Sequence, residues 1–114
     1  MNQPSARYAS LEQRVVFITG GGSGIGEAPR YHHCDIRDVA SLQQVITETG
    51  QNVGPIHTLV NNAASDDRHA WREVDVAYWD ERMSLNLRPM FFAAQAAAEQ
   101  MMKAGGGSII NFGS

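Results

Sequence analysis

The run Val15-Val16-Phe17-Ile18 leads without a break into Thr19-Gly20-Gly21-Gly22-Ser23-Gly24-Ile25-Gly26. This junction of apolar strand and glycine-rich turn limits what the chain can fold into more than any other feature. Val, Phe and Ile suit a parallel strand buried on both faces. The glycines behind it serve three ends: a sharp turn, close approach of a pyrophosphate to the backbone, and tight packing of the following helix against the strand. A helix starting at Ile25 adds unpaired N–H groups and a positive dipole end, so the segment reads as a phosphate cradle. The bland alternative is a plain turn, and the strand directly ahead of the glycines argues against it. A nucleoside-triphosphate loop is excluded, since no Gly-Lys-Ser/Thr follows and Lys103 is the only lysine.

At 114 residues the chain holds one domain at most, burying about two-thirds of the surface exposed when unfolded. The net charge of −3, with both signs scattered, provides no basic field for nucleic acid and favours small-molecule partners. Cys34 is the only cysteine. An internal disulfide is therefore impossible, and a reducing, cytoplasmic compartment fits. Met1-Asn2-Gln3-Pro4-Ser5 is polar with no apolar signal core, and no stretch of some 20 apolar residues is available to span a membrane.

Along the chain, residues 1–13 read as an arm and Val15 to Thr19 as the first strand. A helix starts at Ile25 and is interrupted by Pro29. Asp35 comes only nine residues after Gly26, too few for a crossover helix and a strand, which together take about 30 residues. Tyr31 to Cys34 is accordingly expected as a later strand brought forward by an internal deletion. Val39, Leu42, Val45 and Ile46 predict an amphipathic helix ended by Gly50. Ile56 to Val60 predicts a strand with Asn61-Asn62-Ala63-Ala64 at its carboxyl end, where open α/β sheets bind ligands. One long helix is expected from about Tyr78 to Lys103, closed by Gly105-Gly106-Gly107, and a last strand over Ser108 to Phe112. The fold class is α/β, a partial Rossmann-type three-layer fold with a parallel sheet, forming a single partial domain over residues 1–114.

Thr19-Gly20 with Gly24-Ile25-Gly26, Asp35-Ile36, Asn61-Asn62-Ala63, Asn86 and the strand ending in Gly113-Ser114 stand in the order found in the short-chain dehydrogenase/reductase family, which the chain resembles. Asn61 to His69, Tyr78 to Arg82 and Gly105 to Ser114 further resemble the D-xylose and related aldose 1-dehydrogenases of that family. The resemblance covers the front half of the family's domain, less about one crossover unit. It implies a dinucleotide cofactor, NAD with NADP as the alternative. Gly20, Ser23, Gly24, Ile25 and Gly26 would line its pyrophosphate, Asp35 and Ile36 its adenine, and Asn61, Ala63 and Ala64 its ribose. The family usually has glycine where Ala64 stands. Asn86 matches the family's catalytic asparagine, whose carbonyl holds a water, and Pro89 adds a local reason: lacking an N–H, it cannot bond the carbonyl of Leu85. Ser114 matches the serine that hydrogen-bonds the reacting oxygen.

The family's proton transfer uses a tyrosine four residues before a lysine, and no such pair occurs in these 114 residues. Tyr8, Tyr31 and Tyr78 are followed at that spacing by Glu12, Asp35 and Arg82. The resemblance therefore implies an oxidoreductase acting on a sugar at C1, homo-oligomeric in its full form, with this chain inactive by itself. The competing readings are a non-catalytic fragment or nucleotide- or partner-binding remnant, and a reductase of keto or oxoacyl substrates. His32-His33-Cys34-Asp35 invites a metal, but strand alternation sends neighbours to opposite faces and no second ligand cluster has zinc-like spacing, so no metal is expected. Asp66 to His69 follow the ligand-binding strand end and suit sugar hydroxyls as well as a solvated loop.

Overall fold

A computed structural model describes residues 14–20, 32–63 and 69–112. Three strands, β1 (Val15–Thr19), β2 (Ile56–Asn61) and β3 (Ser108–Asn111), form a parallel sheet in the order β1-β2-β3. Between them run α1 (Val39–Asn52), a 3₁₀ turn over Trp71–Glu73, α2 (Val76–Asn86) and α3 (Arg88–Ala104). The α/β class and parallel arrangement match the sequence reading. Parallel strands need crossover connections of a fixed hand, and a sheet that grows in one direction places successive crossover helices on the same face. Leu42 and Ile46 of α1, Ile56 and Leu59 of β2, and Ala93, Ala97 and Met101 of α3 accordingly form one core cluster, with Val15 and Phe17 packed at its edge. Val16 and Ile18 point the other way and are about half exposed, so among the described residues only one face of β1 is covered, where its composition suggested two.

The ends of α1 rest on named contacts. Asp38 is the N-cap: its carboxylate accepts from the Ser41 N–H (3.2 Å) and the Ser41 hydroxyl (2.8 Å). These bonds hold its carboxyl below the usual carboxylate range. Gly50 does not end the helix, contrary to expectation; α1 runs on to Asn52. The glycine is there for space, because a Cβ on Gly50 would meet the amide group of Gln100. That amide is fixed at both ends, donating to the Ile46 carbonyl (2.8 Å) and accepting from the Ile56 N–H (2.9 Å). A side chain of α3 thus joins the last turns of α1 to the first residue of the central strand.

Two further expectations change. His32, His33 and Cys34 belong to no strand. The two histidines are exposed, and the chain turns directly afterwards, with the Asp38 N–H donating to the Asp35 carbonyl (3.0 Å), so this polar stretch leads into α1 instead of joining the sheet. Tyr31 lies outside the described residues. The long helix is two helices, parted at Leu87 (φ −121°, ψ −52°). The Leu87 N–H still reaches the Met83 carbonyl (3.1 Å), but the Met90 N–H turns to the Leu87 carbonyl (3.1 Å). Pro89 falls in the first turn of α3, where a missing N–H is tolerated. The break comes one residue after Asn86, not before it. At the other end Gly105 adopts the left-handed conformation (φ 96°), and the Gly106 N–H closes on the Met101 carbonyl (2.8 Å). No helix among the described residues is long and apolar enough to cross a membrane.

Gln100→Ala strips the bond from the fully buried Ile56 and should cost about 1–3 kcal/mol in denaturant unfolding. Gly50→Ala should destabilise the unsubstituted chain, because the new methyl displaces a pinned amide. In the Gln100→Ala background the same change should stabilise by up to about 1 kcal/mol, the helix preference of alanine over glycine. The acid limb of stability gives a second check. A carboxyl held low in the folded state stabilises above its unfolded value, about pH 3.9, and loses that contribution as pH falls through the folded one. Asp38→Asn, which keeps a cap acceptor without the charge, should flatten that part of the pH–stability curve below about pH 4 in an acid titration followed by circular dichroism.

Candidate functional site

Parallel pairing brings the carboxyl ends of all three strands to one edge, and the register aligns Thr19, Asn61 and Asn111 in a single row across it. Each of these polar residues is engaged within the protein, Thr19 and Asn61 buried and Asn111 exposed. The Thr19 hydroxyl, almost fully buried, accepts from the N–H groups of both Asn62 (3.1 Å) and Ala63 (3.1 Å). Asn61 is 2% exposed; its amide donates to the Asn111 side chain (2.8 Å) and weakly to the Met90 carbonyl at the head of α3 (3.4 Å). Its carbonyl accepts from the Phe112 N–H (3.0 Å).

Gly20 follows Thr19 with φ +76°, and a Cβ there would stand 2.7 Å from the Ala63 Cα. The start of the glycine turn and the segment after β2 are therefore in direct contact. Only a residue without a side chain fits, by conformation and by space. Ser23, Gly24, Ile25 and Gly26, together with Ala64 and Ser114, lie outside the described residues. Asn86 is the half-buried last residue of α2, at the helix break.

Asp35 and Ile36 stand on the turn that leads into α1. Ile36 packs half-buried against the core, while Asp35 is exposed and paired with Arg37. The Arg37 N–H (3.0 Å) and Nε (3.1 Å) donate to Oδ1, and Nη2 donates to Oδ2 (2.9 Å). These bonds hold the Asp35 carboxyl below the usual range. Burial pushes the half-buried Cys34 thiol up, as do the charges of Asp38 and Asp35. Among the described residues no group of three or more His, Cys, Asp or Glu is placed to hold a metal ion.

Ahead of α2, the His69 ring stacks on Tyr78 with centroids 4.2 Å apart, and the Arg82 guanidinium lies over the Tyr78 ring at 5.5 Å. This stack ties the segment leaving β2 to α2. The sequence reading assigned no role to Thr19 or Asn111. Their signal was available: a polar residue closes each of the three strands. Arg37, two residues after Asp35, was likewise passed over.

The sequence pattern of the short chain dehydrogenase family matches residues 28–114. The chain is 39% identical to the D-xylose 1-dehydrogenase of Caulobacter vibrioides, a match covering 96% of this chain and 57% of that protein. It is 35% identical to the "Probable galactose dehydrogenase GalD" of Rhizobium meliloti, covering 100% of this chain and 59% of that one. The chain thus spans under two-thirds of the length of these relatives. The aligned stretch with the D-xylose enzyme, 145 residues, is longer than this chain, so the relative carries a segment without a counterpart here. Among solved structures, a short-chain dehydrogenase/reductase from Serratia marcescens BCRC 10948 superposes with a TM-score of 0.78 at 28% identity, over 91% of this chain and 59% of that one.

Thr19→Val leaves two backbone N–H groups without their acceptor and should cost about 1–3 kcal/mol, whereas Thr19→Ser should retain most of the stability. Amide chemical shifts of Asn62 and Ala63 should move in the valine variant and stay near their original positions in the serine variant.

Proposed function

This chain belongs to the short-chain dehydrogenase family, and from that premise we propose that its sheet edge is the cofactor side of a sugar dehydrogenase, oxidising an aldose such as D-xylose at C1 to the lactone with NAD, NADP being the alternative. The observation that carries the reading is the junction of Gly20 with Ala63, locked by the Thr19 hydroxyl at the carboxyl edge of a parallel sheet. Two sugar dehydrogenases among the relatives support the substrate class.

The described residues fit a dinucleotide at three points. Gly20 presents backbone with no side chain and a conformation suited to a tight turn. Ala63 is small, and its N–H is held in place. Asp35 is an ionised acceptor suited to an amino donor. Ser23, Gly24, Ile25 and Gly26 complete the pyrophosphate cradle in this reading, Ile36 lines the adenine, and Asn61 and Ala64 lie along the ribose. Since the Asn61 side chain is committed to Asn111, its part is to fix the path of the backbone beside the ligand. A bound nicotinamide would accept the hydride leaving the sugar carbon.

The protein's own groups then handle the oxygen and its proton. Ser114 hydrogen-bonds the reacting oxygen as charge develops on it, and Asn86 orients a water of the proton path from the helix break. The proton itself passes to a Tyr-x-x-x-Lys pair, which these 114 residues do not include.

Calorimetric titration of the chain with NAD tests the reading directly: weak saturable binding is expected, and none should remain in Gly20→Val. The 114 residues alone should give no reduced nicotinamide from D-xylose, L-arabinose or D-galactose with either NAD or NADP. Joined to a segment bearing the Tyr-x-x-x-Lys pair and the missing crossover, they should turn over an aldose. Ser114→Ala should then lower kcat by about 10²–10³. Turnover of keto substrates without any aldose oxidation would overturn the substrate assignment.

A further inference from the structure

Asp35 is exposed, and an exposed carboxylate ordinarily samples several rotamers and trades its acceptors with water. Here it is held from one side by a single neighbour. Arg37 brings three hydrogens to it, from the backbone N–H, Nε and Nη2, with Nε also 3.3 Å from Oδ2. A carboxylate offers about four acceptor sites, so this grip fixes its plane and leaves about one site for another donor. Arg37 is itself held in place. Its carbonyl accepts from Arg88 Nη2 (3.3 Å) at the first residue of α3, and Ile36 beside it packs against the core. The Asp38 N–H closes the turn on the Asp35 carbonyl (3.0 Å). The turn is therefore anchored to the core, to α1 and to α3, while the carboxylate it carries faces solvent.

We infer that Arg37 is a positioning residue for the base-binding end of the site: its forked guanidinium orients the Asp35 carboxylate as an acceptor for the amino group of an adenine ring. This rests on the dinucleotide reading above and deepens it. The free energy of an exposed pair is small, so its contribution lies in selectivity rather than in stability of the fold. An acceptor locked in one direction favours a purine carrying an amino group at C6 over one carrying a carbonyl there, because the carbonyl would set acceptor against acceptor. A lysine at position 37 keeps the positive charge but cannot grip both oxygens.

The test compares NAD with nicotinamide hypoxanthine dinucleotide, which differ in the purine at C6 (amino against carbonyl) and in the proton the latter carries on N1, by calorimetric titration of the full 114-residue chain. The unsubstituted chain should prefer NAD by roughly tenfold, the value of a hydrogen bond to a charged acceptor. Arg37→Lys and Arg37→Ala should both reduce that preference to about threefold or less, with unchanged circular dichroism and melting within a few degrees. Asp35→Asn should abolish the preference, and adding Arg37→Lys to it should change nothing further, since a positioning residue has no effect once the group it positions is gone. A full preference in Arg37→Lys, or additive effects in the double variant, overturns the role of Arg37 while leaving the cofactor reading intact. Failure of the unsubstituted chain to bind NAD overturns the cofactor reading itself, and this inference with it.

Discussion

The parallel pairing of β2 with both its neighbours is the constraint from which the rest of the structure follows. Parallel strands cannot be joined by tight turns, so each connection must cross the sheet, and α1 and the α2–α3 pair are those crossings. The same pairing sends every strand's carboxyl end to one edge. Thr19, Asn61 and Asn111 fall level there, and Gly20 and Ala63, which follow the first two of them, meet at that edge. The site is thus a consequence of topology before any individual side chain is considered.

Side-chain amides and hydroxyls then connect what the strands only bring near. Gln100 ties α1 to the start of β2, and the amide of Asn61 ties β2 to the end of β3 and to the head of α3. These groups are buried or half-buried, and each is satisfied by backbone or by another amide. A neutral polar group fully hydrogen-bonded in the interior adds direction to the packing, which aliphatic contacts alone do not supply. The result is a sheet edge whose backbone geometry is fixed by bonds lying beneath it, with Gly20 and Ala63 left at the surface in contact. On the opposite face Val16, Ile18 and Ile110 stay open among the described residues, where the third layer of a Rossmann-type fold would lie.

Much of this was legible in the order of residues. The apolar runs at Val15, Ile56 and Ser108, the amphipathic spacing of Val39 to Ile46, and the position of Asn61-Asn62-Ala63 after a strand announced a parallel α/β sheet with its ligand edge, because strand and helix periodicities are local properties of sequence. The misreadings share a cause. Gly50 was read as a helix stop, though its role depends on Gln100, fifty residues away. His32 to Cys34 was read as a strand because it stood where one was due, while its fate was decided by the turn at Asp35. A single long helix followed from composition, whereas the chain breaks at Leu87 between α2 and α3, the latter packed against β2.

The sequence by itself determined the fold class, the strand order's direction and the family to which the chain belongs, since these rest on hydrophobic period, glycine placement and motif order along one dimension. Only the tertiary structure decided that Thr19 holds the segment after β2, that Asn61 turns inward to Asn111, and that Arg37 grips Asp35 while Arg88 holds Arg37. Except for the Asp35–Arg37 pair, these contacts join residues far apart in the chain. Their partners are chosen by which elements the packed core brings together, and no local pattern encodes that choice.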